Sequence, residues 1–144
     1  MSLVSTAVSS IERKLPKVID ARSHGIIDYC HAAFFLGMAL FCSRKNPRAA
    51  TAALVTGSFI LGESLLTDYP LGAAKVMPFA MHGKLDAAFA ASSPWMPRLF
   101  GFSGTPEAAV FKANGLIEGT VVSMTDWNSD RARTEDGVSS LAAD

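Results

Sequence analysis

Four apolar stretches alternate with short polar breaks along the chain, and their spacing predicts helices rather than strands. Residues 25–42 and 48–66 form a first pair, divided by Ser43, Arg44, Lys45, Asn46 and Pro47. Residues 78–94 and 107–124 form a second pair, divided by a loop holding Pro97, Gly101, Gly104 and Pro106. Ahead of them, Leu3, Val4, Ala7, Val8, Ile11 and Leu15 share one helical stripe, with Ser9, Glu12 and Arg13 opposite. That pattern predicts an amphipathic N-terminal helix over residues 1–21, lying at a membrane surface with Arg13, Lys14, Lys17 and Arg22 towards anionic headgroups. An arm that packs on a partner subunit is the other reading of the same stripe. Beyond residue 127 the chain turns small, polar and charged, and a disordered tail is expected over 128–144.

The two pairs echo each other. His24-Gly25-Ile26-Ile27-Asp28 returns 58 residues later as His82-Gly83-Lys84-Leu85-Asp86. Thr67-Asp68-Tyr69 returns at the same offset of 58 as Thr125-Asp126-Trp127, and Gly57 returns as Gly115. One offset shared by both ends of a unit predicts a tandem duplication, with repeat 1 over 22–71 and repeat 2 over 72–127. Each repeat reads as a helical hairpin. The expected fold is all-α: four transmembrane helices from two tandem hairpins, behind the amphipathic arm.

A spanning helix needs about 20 mostly apolar residues. Residues 49–66 approach this with one charge, Glu63, which sits a turn from the helix end and is expected at the interface. The second pair is more charged, with Lys84, Asp86, Lys112 and Glu118 inside it. Small residues such as Ala49, Ala50, Ala52, Ala53 and Gly57 let helix backbones approach closely in lipid. A soluble four-helix bundle with an apolar surface is the competing reading. The mean hydropathy of +0.26 and the 49% hydrophobic content lie between the two classes. Eight basic residues fall on the side of the chain ends and five on the opposite side, which predicts both termini in the cytoplasm. The net charge is zero, with 13 basic and 13 acidic residues, so nothing marks a nucleic-acid partner. Cys30 and Cys42 lie about 18 Å apart along one helix, too far for a disulfide, and read as buried apolar fillers. The N-terminus lacks the pattern of a secretory signal.

Ser93-Pro94-Trp95, preceded by His82-Gly83-x-x-Asp86, resembles the repeat that names the SPW family. Leu66-Thr67-Asp68-Tyr69-Pro70-Leu71-Gly72, followed by Pro78-Phe79-x-x-His82, looks like that family's linker between repeats. The resemblance covers about residues 22–127 and implies a small integral protein of the bacterial inner membrane, built from two-helix repeats. It implies no established activity. The first hairpin departs from the pattern, with Phe35-Leu36-Gly37 where the tripeptide belongs. Pro94 has no amide hydrogen to give residue 90, so its helix is expected to kink or stop there.

If each hairpin begins and ends on one face, His24, Asp28, Asp68, His82, Asp86 and Asp126 gather in one layer. Histidine and aspartate at i and i+4 share a helix face. Two imidazoles and up to four carboxylates suit Zn, Mn or Fe. A haem held by His24 and His82 is a variant of the same idea. Three readings stay open: a duplicated structural clamp, a metal or cofactor site, and a proton or ion path. The clamp treats the two His-Asp pairs as separate contacts, with Asp68 and Asp126 capping backbone amides. His31 reads as a satisfied core histidine, and Glu118, two turns inside its helix, as a functional candidate. No nucleophile motif, phosphate loop, CxxC or HExxH occurs, so nothing points to an enzyme. The expected function is structural or interactive: a subunit or scaffold of a larger membrane complex, or a homo-oligomer, partnered by the bilayer. A metal- or haem-binding redox membrane protein is the alternative.

Overall fold

The computed structural model describes residues 15–129. Asp20 starts the first helix, its carboxylate accepting the Ser23 amide at 2.7 Å, and α1 runs Ala21–Cys42. It therefore opens four residues before the apolar run alone predicts. Ser43 closes it by donating to Leu40 O at 2.7 Å. Asn46 caps the next helix through the Ala49 amide, Pro47 fills its first position, and α2 runs Pro47–Leu66. A linker follows with two short strands, β1 (Thr67–Asp68) and β2 (Met77–Pro78), paired in parallel. Helix α3 runs Phe79–Ser92, tightens into a 3-10 turn over Ser93–Trp95, and resumes briefly as α4, Met96–Leu99. The missing Pro94 amide gives the tightening its place. Helix α5 runs Glu107–Met124, as the sequence predicts.

The amphipathic arm falls mainly on residues 1–14, and the polar tail mainly on 130–144, outside the described residues. The last stretch of the arm, however, is extended rather than helical. Val18 N donates to Met124 O at 3.0 Å and Asp126 N to Ile19 O at 2.8 Å, so Ile19 pairs with Thr125. That backbone is used between segments and cannot also close helical turns.

Helix α1 lies along α2, and α3 lies along α5. Alanines let α1 and α2 approach closely: Ala32, Ala39, Ala49, Ala52 and Ala53 are all buried. Rings join the two hairpins, Phe35 against Phe111 at 5.3 Å and Phe59 against Phe89 at 5.7 Å. Other apolar side chains face outward, among them Phe34, Leu40 and Phe41 on α1 and Leu116 and Ile117 on α5. Cys42 is buried, but Cys30 is exposed on the outer face of α1, so only one of the two is a core filler. Among the described residues, α1 and α2 are long and apolar enough to cross a membrane, with mean hydropathy 1.6 and 1.5.

Candidate metal centre

Both hairpins open with the same turn. His24 and Asp28 lie one turn apart on α1, His82 and Asp86 one turn apart on α3, so each pair projects from one face. The two faces meet. His24 Nε2 and His82 Nε2 stand 3.2 Å apart. Asp86 Oδ2 lies 3.1 Å from each nitrogen. Asp28 reaches in from the other helix, Oδ1 at 3.4 Å from His24 and Oδ2 at 3.2 Å from His82. No member of this tetrad is more than 3% exposed, so bulk water does not reach between them.

The outer edges of the rings decide where their hydrogens sit. His24 Nδ1 lies 3.0 Å from Thr125 Oγ1, and His82 Nδ1 lies 2.8 Å from Thr67 Oγ1. Each threonine has one hydroxyl hydrogen, already donated to a helix carbonyl: Val121 O at 2.7 Å and Glu63 O at 2.6 Å. The hydroxyl must then accept from the ring. A neutral imidazole so held carries its hydrogen on Nδ1 and leaves Nε2 a bare lone pair. Two lone pairs thus face the Asp86 carboxylate, with Asp28 alongside them, and these groups need protons or a cation between them.

Spacing separates those two cases. A charge-assisted N–H···O bond closes to about 2.7–2.9 Å. The four N···O separations in the tetrad are longer, 3.1–3.4 Å, and the two nitrogens stand 3.2 Å apart. A tetrahedron with metal bonds of about 2.0–2.1 Å has edges of about 3.3 Å. His24 Nε2, His82 Nε2 and an Asp86 oxygen all lie within 4.8 Å of one another, close enough to share one ion, and Asp28 approaches the two nitrogens from outside that group. The threonine contacts are also what a metal-bound histidine requires, because a fixed Nδ1–H orients the ring and holds Nε2 as the ligand atom. Haem does not fit. Two axial imidazoles stand on opposite faces of a macrocycle, and nitrogens 3.2 Å apart leave no room for one.

Aromatic side chains roof the tetrad. Trp127 lies 4.9 Å from the His24 ring and Phe79 lies 5.6 Å from it, with Tyr69 stacked on Phe79. The glycines after each histidine make this possible. A Cβ on Gly25 would stand 2.6 Å from Tyr69, and one on Gly83 would stand 2.7 Å from Trp127. Burial under the roof pushes the Tyr69 phenol above its ordinary range, so it stays neutral and offers no anionic ligand at neutral pH.

Two of the six candidates lie apart. Asp68 is exposed, and Asp126, half-buried, accepts the Asn128 amide at 3.1 Å. Extended backbone turns successive side chains to opposite faces, so Thr67 and Thr125 point inward and the aspartates after them do not. The threonines are the partners that sequence reasoning passed over, although the same offset of 58 marks them. Glu63, expected at the interface, is buried, one turn before Thr67. His31 is satisfied by a second polar network. His31 Nε2 meets Asn114 Oδ1 at 2.6 Å and His31 Nδ1 meets Glu118 Oε2 at 3.1 Å. Asn114 then donates to Ser93 Oγ at 3.0 Å, and Ser93 to Phe111 O at 2.9 Å.

Comparison of the chain with protein-family models, with curated proteins and with solved structures finds no match.

Proposed function

We propose that this chain is a small integral membrane protein whose two hairpins close around one divalent first-row transition ion, held by His24, His82, Asp28 and Asp86. The observation that carries the reading is the pair of Nε2 atoms, 3.2 Å apart beside two carboxylates, with each Nδ1 against a threonine hydroxyl. Duplication of an SPW-type hairpin supports it. One unit supplies one histidine and one aspartate, and two copies supply four donors. Elemental analysis of the protein purified in mild detergent, after dialysis against a metal buffer, is expected to give about one ion per chain. Metal-free protein at full loading would remove the reading.

Four helical segments of spanning length support the location, two of them apolar enough to span. Helix α3, its 3-10 turn and α4 run on for about 21 residues, and α5 has 18, both within the spanning range. The histidine pair and the carboxylates deep in these segments point inward: His24, His82, Asp28, Asp86, Glu63 and Glu118 are all buried. Exposed Lys84 and Lys112 lie within two turns of a helix end, where long side chains reach the interface. Lys17, Arg22 and Lys75 flank the tetrad end, which on the positive-inside rule faces the cytoplasm of a bacterial inner membrane. After alkaline carbonate washing the protein is expected in the membrane pellet, and release to the supernatant would contradict the location.

A role as subunit or scaffold rests on a separate observation. Gly37, Gly62 and Gly119 have nothing within 4 Å of where a Cβ would stand. Such open small positions admit a helix of another subunit, or of a second copy, at close range. Native gels in mild detergent are expected to show an assembly larger than one chain, and a clean monomer would count against it.

A further inference from the structure

The outer face of α1 is not uniform. Towards the end away from the tetrad, α1 and the first turn of α5 border an open apolar groove of about 570 Å³, lined by Phe34, Gly37, Met38, Phe41 and Val110. Gly37 keeps it open, with nothing within 4 Å of where a Cβ would stand. The groove starts at Ala33, and just deeper His31 bonds Asn114 and Glu118 across the same two helices and closes the crevice. Cys42 and Glu107 line its mouth, and the Lys45 amide donates to Cys42 O at 3.1 Å. The two charges lean on neutral partners. Lys45 Nζ lies 5.3 Å over the Phe41 ring, and Glu107 Oε2 accepts from Asn46 at 3.0 Å. At the offset of 58 neither feature returns: Trp95 stands in the place of Gly37 and Ala49 in that of Glu107.

We propose that this groove holds one acyl chain of a phospholipid with a zwitterionic head of the phosphoethanolamine kind, its phosphate at Lys45 and its ammonium at Glu107. The proposal rests on the membrane location above and is independent of the tetrad. Depth selects a lipid over a helix. From Ala33 to Cys42 the groove runs roughly 14 Å at 1.5 Å per residue, about half of a hydrocarbon core of about 30 Å. A lipid tail reaches that far, whereas a spanning helix needs a groove across the whole thickness. Charge selects the head. A purely anionic head satisfies Lys45 and is repelled by Glu107, while a head with both charges gives each residue an opposite partner. A primary ammonium also has N–H donors for the carboxylate, and a choline head has none. The assignment takes Gly37 for lipid and leaves Gly62 and Gly119 open to a partner subunit.

The full-length protein in mild detergent is incubated with phosphatidylethanolamine, phosphatidylglycerol or phosphatidylcholine, and bound lipid is counted by native mass spectrometry. The expected result is about one phosphatidylethanolamine per chain, held about tenfold or more tightly than the other two. Glu107→Gln should hold phosphatidylethanolamine and phosphatidylglycerol alike, and Lys45→Gln should weaken all three. Gly37→Leu, which fills the groove, should hold none. Gly62→Leu, equally open but outside the groove, should behave as the wild type. A wild type that binds no phosphatidylethanolamine, yet stays in carbonate-washed membranes, overturns the inference alone. A chain that the carbonate wash releases overturns the location, and the inference with it. Phosphatidylglycerol held as tightly as phosphatidylethanolamine by the wild type, or binding unmoved by Gly37→Leu, also overturns the inference. A lipid-free dimer that Gly37→Leu disperses overturns it too, by giving the groove to a second helix.

Discussion

Among the described residues two histidine–carboxylate groups lie between the hairpins, and they are built in opposite ways. The tetrad takes the same residues from both hairpins, and its contacts recur at an offset of 58: His24 with Thr125, His82 with Thr67. The His31 network takes its histidine from the first hairpin and Asn114, Glu118 and Ser93 from the second. At the offset of 58, its mirror place holds Phe89, Thr56, Ile60 and Phe35, three of them apolar. Packing at that depth is therefore achievable without a buried ion pair. A site that both hairpins build alike can hold something on the axis between them. A group that joins the hairpins once, with no counterpart at its mirror place, lies off that axis.

Removing a tetrad histidine has the largest expected effect. His24→Ala and His82→Ala should each lose the ion and cost about 3–5 kcal/mol, the range for a buried charge stripped of its partner. The double variant should be hardly worse than either single, because the two rings touch at 3.2 Å and share one ligand. The separate-clamp picture predicts instead that the losses add. Denaturant unfolding in detergent, with metal content measured on each variant, decides between them.

The unrepeated network should respond differently. His31→Phe alone leaves Glu118 and Asn114 short of a partner and should cost about 1–3 kcal/mol. His31→Phe combined with Asn114→Thr and Glu118→Ile copies the mirror place and should recover most of that loss, since every stranded partner is replaced together. Metal content should stay at the wild-type level in both. Loss of the ion in the triple variant would show that the two groups form one site.

Smaller effects sharpen the symmetry. Thr67→Val and Thr125→Val each remove the acceptor of an Nδ1 hydrogen and should weaken metal affinity by about 10–100-fold, to similar extents. A loss confined to one of them, measured by metal titration, would mean that a single histidine holds the ion. Gly62→Ala sits at neither group and meets open space within the single chain. It should stabilise the dissociated chain by about 0.5–1 kcal/mol while weakening any assembly that packs a helix there. A loss on thermal unfolding there would reveal a covered face.

Hairpin organisation was legible because apolar periodicity and turn residues act locally; Asn46-Pro47 and Pro94 mark their boundaries through the backbone hydrogens they bind or lack. The pairing of His24, Asp28, His82 and Asp86 was legible from i,i+4 spacing and the shared offset. Three things were not. The threonines were hidden because a two-residue strand sets the side-chain parity, and that strand forms only when Thr67 pairs with Met77. The burial of Glu63 depends on which face of α2 meets α3, which no local pattern states. The partners of His31 come from the other hairpin, and a non-repeated residue leaves no offset to follow.

The most direct test of the shared ion is X-ray absorption at the edge of the metal the purified protein carries. The account predicts a first shell with two imidazole nitrogens at about 2.0–2.2 Å, the remainder oxygen, and no sulfur. A single imidazole, or a shell of oxygen alone, would contradict it, because an ion seen by one hairpin is not held between two.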